Sequence, residues 1–232
     1  MRLNHKYYVL VGHFGSGKTE LALALAKHFN AGGRGGVALV DLDIVNPYFR
    51  SSEHQQILQE EGIDVIMPSF AHTTVDVPAL SAAVHTVFES QRYRHVIFDV
   101  GGDASGATAL GRYFPFIQPI REQVQVLFVV NACRPLTANE EDICALIRQI
   151  EARARVRVDM LVNNANLQRQ TTARHLTYAQ TLLERVSVRI SVPVGMVAGY
   201  SRLRDALPED MQSVFFPVEP MMLPEWLEDD QV

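Results

Sequence analysis

Short runs of Val, Ile and Leu alternate along the chain with stretches in which apolar residues recur every three or four positions. The first run, 6–11, reads as a buried strand, and Leu21, Ala22, Leu25, Ala26 and Phe29 then mark one face of a helix. A second strand at 37–40 ends in Asp41-Leu42-Asp43, a polar helix covers 52–61, and Gly62 closes it before a strand at 63–67. Asp76 can cap a helix with Val77, Leu80, Val84, Val87 and Phe88 inward, and the strand 95–100 runs into Gly101-Gly102-Asp103. The run 124–130 is the most apolar and reads as central. Thr137 and Glu140 have capping-box spacing for a helix carrying Ile143, Leu146, Ile147 and Ile150. A strand at 156–162 ends at Asn163-Asn164, a helix uses Leu176, Ala179, Leu183 and Val186, and the last strand covers 190–197.

Strands of continuous apolar character that alternate with helices predict a mainly parallel sheet with helices on both faces. The expectation is an α/β fold of about seven strands. It forms one domain over 1–216, followed by a proline-rich tail at 217–232 that lies on the surface or meets a partner. A chain of 232 residues with 47% hydrophobic content can bury such a core. The net charge of −5 argues against a general nucleic-acid binder. Arg148, Arg153, Arg155 and Arg157 therefore read as a solvated helix end and strand, and DNA binding is not expected. Cys133 and Cys144 lack metal-ligand spacing and suggest no disulfide framework. With no apolar run of membrane-spanning length and no signal-peptide pattern, a soluble cytoplasmic protein is expected.

The strongest chemical signal is Gly12-His13-Phe14-Gly15-Ser16-Gly17-Lys18-Thr19, in the pattern G-x-x-x-x-G-K-[ST] between a strand and a helix. The glycines allow backbone N–H groups to converge on a polyphosphate, and the helix N-terminus favours the same anion. Lys18 suits the outer phosphates as a point charge, and the Thr19 hydroxyl suits Mg²⁺. The nucleotide contacts expected of this segment come from Gly12, Phe14, Gly15, Ser16, Gly17, Lys18, Thr19 and Glu20. In Asp99-Val-Gly-Gly102, Asp99 can hold Mg²⁺ through water and Gly102 can offer its N–H to a γ-phosphate. Asp41 and Asp43 end the second strand and are expected to take different roles, one serving the metal's water shell and the other the attacking water.

Gly12 to Ala26, Val40-Asp-Leu-Asp43 and Val96 to Gly102 together resemble the MinD/ParA-like ATPases. These are P-loop proteins of the group that includes nitrogenase iron protein and the cobyrinic acid a,c-diamide synthase relatives. The resemblance implies an ATP- and Mg²⁺-dependent protein that can form a homodimer. Lys18 and Thr19 would bind phosphates and Mg²⁺, and Asp43 would orient the attacking water. Asp99 would hold the metal's water shell, and Asn163 would read adenine. The segment Asn163-Asn164-Ala165-Asn166 lacks the acidic residue that guanine-binding relatives place there, which also favours adenine.

One departure is clear. Family members carry a second lysine early in the loop that reaches a partner's nucleotide, and this chain has His13 there. Its lysines are at 6, 18 and 27 only, so a substitute cation would be His13, Arg50 or Arg134. A switch ATPase with nucleotide-controlled association to itself or a partner is the leading expectation. An ATP-dependent ligase or small-molecule kinase of the dethiobiotin synthetase or diamide synthase type is the alternative, with 46–50 and 68–76 available for an acceptor substrate. A nucleotide-binding module with negligible turnover is the third.

Overall fold

In chain order the strands are β1 (Tyr7–Val11), β2 (Val37–Leu42), β3 (Ile63–Ile66), β4 (His95–Val100), β5 (Val124–Val130), β6 (Met160–Asn163), β7 (Val194–Gly199) and β8 (Phe215–Pro217). The helices are α1 (Lys18–Asn30), α2 (Ser52–Glu60), α3 (Ala82–Glu89), α4 (Ala104–Arg112), α5 (Phe114–Ile117), α6 (Glu140–Ala154), α7 (Ala173–Ile190) and α8 (Glu209–Ser213). They come from a computed structural model that describes residues 3–31, 35–43, 52–67, 82–219 and 221. The strands join in one sheet, ordered β3-β2-β4-β1-β5-β6-β7-β8, and every pairing is parallel.

Both faces of the sheet are covered, which explains why its strands are continuously apolar. Alternate residues feed two cores. Tyr7, Val9 and Val11 of β1 join Phe98, Phe128, Leu110, Ile143 and Leu183 on one side. Tyr8 and Leu10 join Leu21, Leu25, Leu39, Ile97 and Leu127 on the other. The chain leaves β1 toward β2 on one side, and β5 to β8 build outward on the other. The carboxyl ends of β1 and β5 thus flank a topological switch point, where open parallel sheets bind ligands.

Several elements depart from expectation. Sequence spacing suggests Thr137 as the α6 cap, but the cap is Asn139, whose side chain accepts from Asp142 N–H at 2.9 Å. The Thr137 hydroxyl instead donates to Asn131 O at 2.7 Å. Ile190 ends α7 rather than opening a strand, and β7 begins at Val194. The strand 156–162 is shorter than its apolar run suggests: β6 starts only at Met160. The described residues include an eighth strand, β8, which crosses the boundary drawn at 216/217. Arg50, Asp76 and the two candidate acceptor loops lie outside the described residues. No described helix is long and apolar enough to cross a membrane.

Candidate functional site

The glycine loop leaves β1 at Val11 and turns back through a bond from Ser16 N–H to His13 O at 3.2 Å. Gly12 abuts β5 at Val129 O, and Gly15 has φ 72°. Gly17 precedes α1 with φ 83°, a left-handed conformation that a side chain would strain. Its missing Cβ also admits Asn164, which donates to Ser16 O at 2.6 Å. No side chain caps α1, so its first N–H groups and positive dipole end face the loop. Phe14 is 63% exposed at the tip.

Lys18 lies almost wholly buried within this loop and donates to His13 O at 3.0 Å. Burial lowers its pKa, and the carboxylates of Asp99, Asp43 and Asp103 oppose that shift. The charges of these three acidic groups therefore favour its ammonium form. Asp103 also caps α4 by accepting from Gly106 N–H at 2.8 Å.

Strand alternation aims Asp41 and Asp99 at the same place. Leu39 and Ile97 belong to the core beneath α1, so Asp41 and Asp99, two residues on, face α1 as well. The two are cross-strand partners in the β2–β4 register. Asp99 is fully buried and accepts from the Thr19 hydroxyl at 2.6 Å. Burial raises its pKa from 3.8 to about 6, against the opposing effects of Thr19 and Lys18. Asp41 accepts from Asp43 N–H at 2.9 Å and so shapes the turn that presents Asp43. Asp43 lies beyond the strand end beside Gly101, and its charge acts on both Lys18 and Asp99. Thr19 and Asp99 form an oxygen pair suited to a hard cation. The described residues contain no group of three acidic, His or Cys side chains that could hold a metal ion by itself. Such a pair fits Mg²⁺, which keeps several waters and shares its remaining bonds with substrate phosphates.

Gly102 closes the outer end of the loop. A Cβ there would stand 2.4 Å from Phe14 N and 2.6 Å from Phe14 Cα. On the sequence expectation that this loop binds ATP, Gly102→Ala should push the loop tip away and weaken triphosphate binding by on the order of tenfold or more. The measurement is ATP and ADP affinity side by side, since a defect at the outer end should spare ADP. Equal losses for both nucleotides would show a general collapse of the loop.

Toward the other end of the loop lies a cleft of about 200 Å³ whose wall includes Gly15, Gly17, Glu20, Asn164, Asn166 and Tyr200. Asn131, Arg134, Gln168 and Val218 also line it. Asn163 does not belong to this wall. Its side chain is fully buried, donating to Leu176 O at 2.9 Å and to Gln180 Oε1 at 3.2 Å. The physical reason is alternation: Leu161 and Asn163 face α7, whereas Asn164, the next residue, reaches the glycine loop. The expectation that Asn163 reads adenine does not fit this placement.

Asn131 was legible only as a strand end, yet it joins two walls of the cleft. It donates to Asn166 O at 2.9 Å and accepts from Asn166 N–H at 3.0 Å. Tyr200, also missed, shares a side-chain hydrogen bond with Asn166, and burial raises its pKa. The chain after β8 completes the wall. Val218 N–H donates to Gly199 O at 2.9 Å, and Met221 N–H to Glu20 Oε2 at 3.1 Å. A proline-rich tail has no amphipathic period that would have revealed these contacts.

No protein-family model matches the chain, and no curated protein matches it. Solved structures do. The cell division protein FtsY of Thermotoga maritima matches with TM-score 0.55 and 18% identity over 91% of this chain and 66% of its own. Chloroplast FtsY of Physcomitrella patens gives 0.54 and 18% over 85% and 59%. The signal recognition particle receptor FtsY of Elizabethkingia anophelis, in complex with GDP, gives 0.52 and 18% over 91% and 60%. The chain thus spans less than two thirds of the length of each of these three. At such identity the likeness establishes the fold, which is that of a P-loop NTPase: one α/β domain with a parallel sheet flanked by helices.

Proposed function

We propose that the chain is a Mg²⁺-dependent ATPase of MinD/ParA-like type, a cytoplasmic switch whose nucleotide state controls association with itself or a partner. The observation that carries this reading is the convergence of buried Lys18, the Thr19–Asp99 pair and Asp43 on one glycine loop. Lys18 would leave His13 O for the β- and γ-phosphate oxygens, bringing a cation to where charge develops. The loop N–H groups would bind the same oxygens. So would the Ser16 hydroxyl, which is buried with no hydrogen-bond partner among the described residues. Bound Mg²⁺ would neutralise the phosphates and polarise the γ-phosphoryl group. Thr19 and Asp99 are the residues to hold it, with Asp41 behind them. Asp43 would orient the water that attacks the γ-phosphorus, and ADP leaves as inorganic phosphate forms. Gly102 N–H would mark the γ-phosphate end.

The base would lie in the cleft between Asn164, Asn166 and Tyr200. The side chains that end β6 there are amides, without the carboxylate that would accept from guanine N1 and N2. This supports adenine over the guanine nucleotide carried by the Elizabethkingia neighbour. Mg-ATP is expected to raise the melting temperature more than Mg-GTP at equal concentration, because the tighter ligand stabilises the native state more. An equal or larger shift with GTP would reverse the base assignment. Phosphate release measured without any acceptor separates the switch from ligase or kinase chemistry, in which release requires the second substrate.

A further inference from the structure

The cation that the loop lacks at His13 has a candidate on the neighbouring strand. Arg134 follows β5, and its guanidinium lies over Gly15: Nε and Cζ are 3.6 and 3.9 Å from the point that a Gly15 Cβ would occupy. The backbone beneath it is firmly held. Arg134 N–H donates to Asn131 O at 3.0 Å, and Thr137 N–H to Arg134 O at 3.0 Å. Buried Asn131 accepts from Cys133 N–H at 3.1 Å and ties the turn to Asn166. The residue is exposed, and no carboxylate among the described residues forms an ion pair with it. A guanidinium over the loop that precedes α1 stands near the positive end of that helix, which by itself is electrostatically unfavourable. An anion between them reverses the sign.

We propose that Arg134 is a phosphate-binding cation supplied by the same chain, reaching over Gly15 to the inner phosphates of the bound nucleotide. The inference rests on the nucleotide reading above. Which phosphates it meets follows from the ends of the site. Gly102 and Asp43 mark the outer end, Asn164, Asn166 and Tyr200 the base end, and Gly15 lies between them. A planar five-donor fork can hold two phosphate oxygens in a fixed bidentate geometry, which an ammonium does not impose. The position after β5 suits this role because β5 neighbours β1 in the sheet, so the turn that ends β5 overhangs the loop that ends β1.

The test is the affinity of wild type, Arg134→Ala, Arg134→Lys and Lys18→Ala for Mg-ATP, Mg-ADP and adenosine. Arg134→Ala is expected to weaken Mg-ATP and Mg-ADP alike, by on the order of ten- to a hundredfold, as loss of a charge-assisted hydrogen bond would. The nucleotide-free melting temperature should stay at the wild-type level, adenosine binding should change far less than Mg-ADP binding, and Arg134→Lys should recover part of the loss. Unchanged ADP affinity in Arg134→Ala, with Lys18→Ala impaired, would overturn the inference while leaving the nucleotide reading intact. A loss that appears only at high protein concentration would also overturn it, since the cation would then act across a dimer. Wild type that binds none of the nucleotides would overturn the nucleotide reading itself, and this inference with it.

Discussion

Replacing Asp43 with alanine is expected to leave ATP affinity near the native level while slowing hydrolysis by on the order of 10²–10⁴. Asp43 stands past the end of β2, next to Gly101. In the proposed mechanism it acts on the water, whose orientation matters only as the bond to phosphorus changes. Lys18 differs, because a buried ammonium inside the loop would touch phosphate oxygens before and during the reaction. Lys18→Ala should therefore lose ATP binding and turnover together. Single-turnover phosphate release and equilibrium ATP binding, measured on both variants, check the distinction. The ATP-loaded Asp43→Ala protein should also scatter light as a larger species than the ADP form if the nucleotide controls self-association. If Asp43→Ala loses affinity as severely as Lys18→Ala, Asp43 is a metal-site or structural residue. The water-orienting role would then pass to Asp41, whose carboxylate accepts from Asp43 N–H.

Asp99→Asn is expected to make the nucleotide-free protein more stable at neutral pH and nearly inactive. The carboxyl group is fully buried at the end of β4, and burial raises its pKa to about 6. Between its ordinary value of 3.8 and about 6, the folded chain binds a proton that the unfolded chain does not. The contribution of Asp99 to stability therefore rises as pH falls through that window, and its burial penalty is present in full above it. Two units correspond to at most about 3 kcal/mol. Asparagine removes the charge and can still accept from the Thr19 hydroxyl, so a gain on the order of 1–2 kcal/mol is expected, or several degrees in Tm. Turnover should fall by on the order of a hundredfold or more, since the metal's water shell loses its carboxylate. Melting curves without Mg²⁺ or nucleotide at pH 5 and pH 8 provide the check. The advantage of the variant should be full at pH 8 and reduced to roughly half at pH 5. A lower Tm than wild type at pH 8 would show that attraction to Lys18 outweighs the burial cost.

The shape of the loop was legible because it is local. Gly12 to Thr19 are consecutive, and the apolar run before them and the helical period after them define the strand and helix that frame them. The parallel sheet was legible for a related reason: strands buried on both faces must be apolar throughout, and 124–130 is the clearest case. Local pattern misplaced what depends on phase or on a partner. Asn163 and Asn164 are adjacent and chemically identical, and only the phase of β6 decides which one faces the cleft. β8 is three residues long and ends in Pro217, so it carries no period, and pairing with β7 alone makes it a strand.

By itself, the sequence determined the fold class, the glycine loop between β1 and α1 and the presence of acidic residues at the ends of β2 and β4, since backbone preference and hydrophobic period act over a few neighbouring residues. Tertiary structure alone decided that Asp41 and Asp99 share a register, that Asn131 binds the β6 loop, that Val218 walls the cleft and that Arg134 overhangs Gly15. Those relations follow from the order of strands in the sheet, which brings β1, β4 and β5 side by side from distant parts of the chain. That order is set by how the crossover helices pack on the two faces, and no local run of residues encodes it.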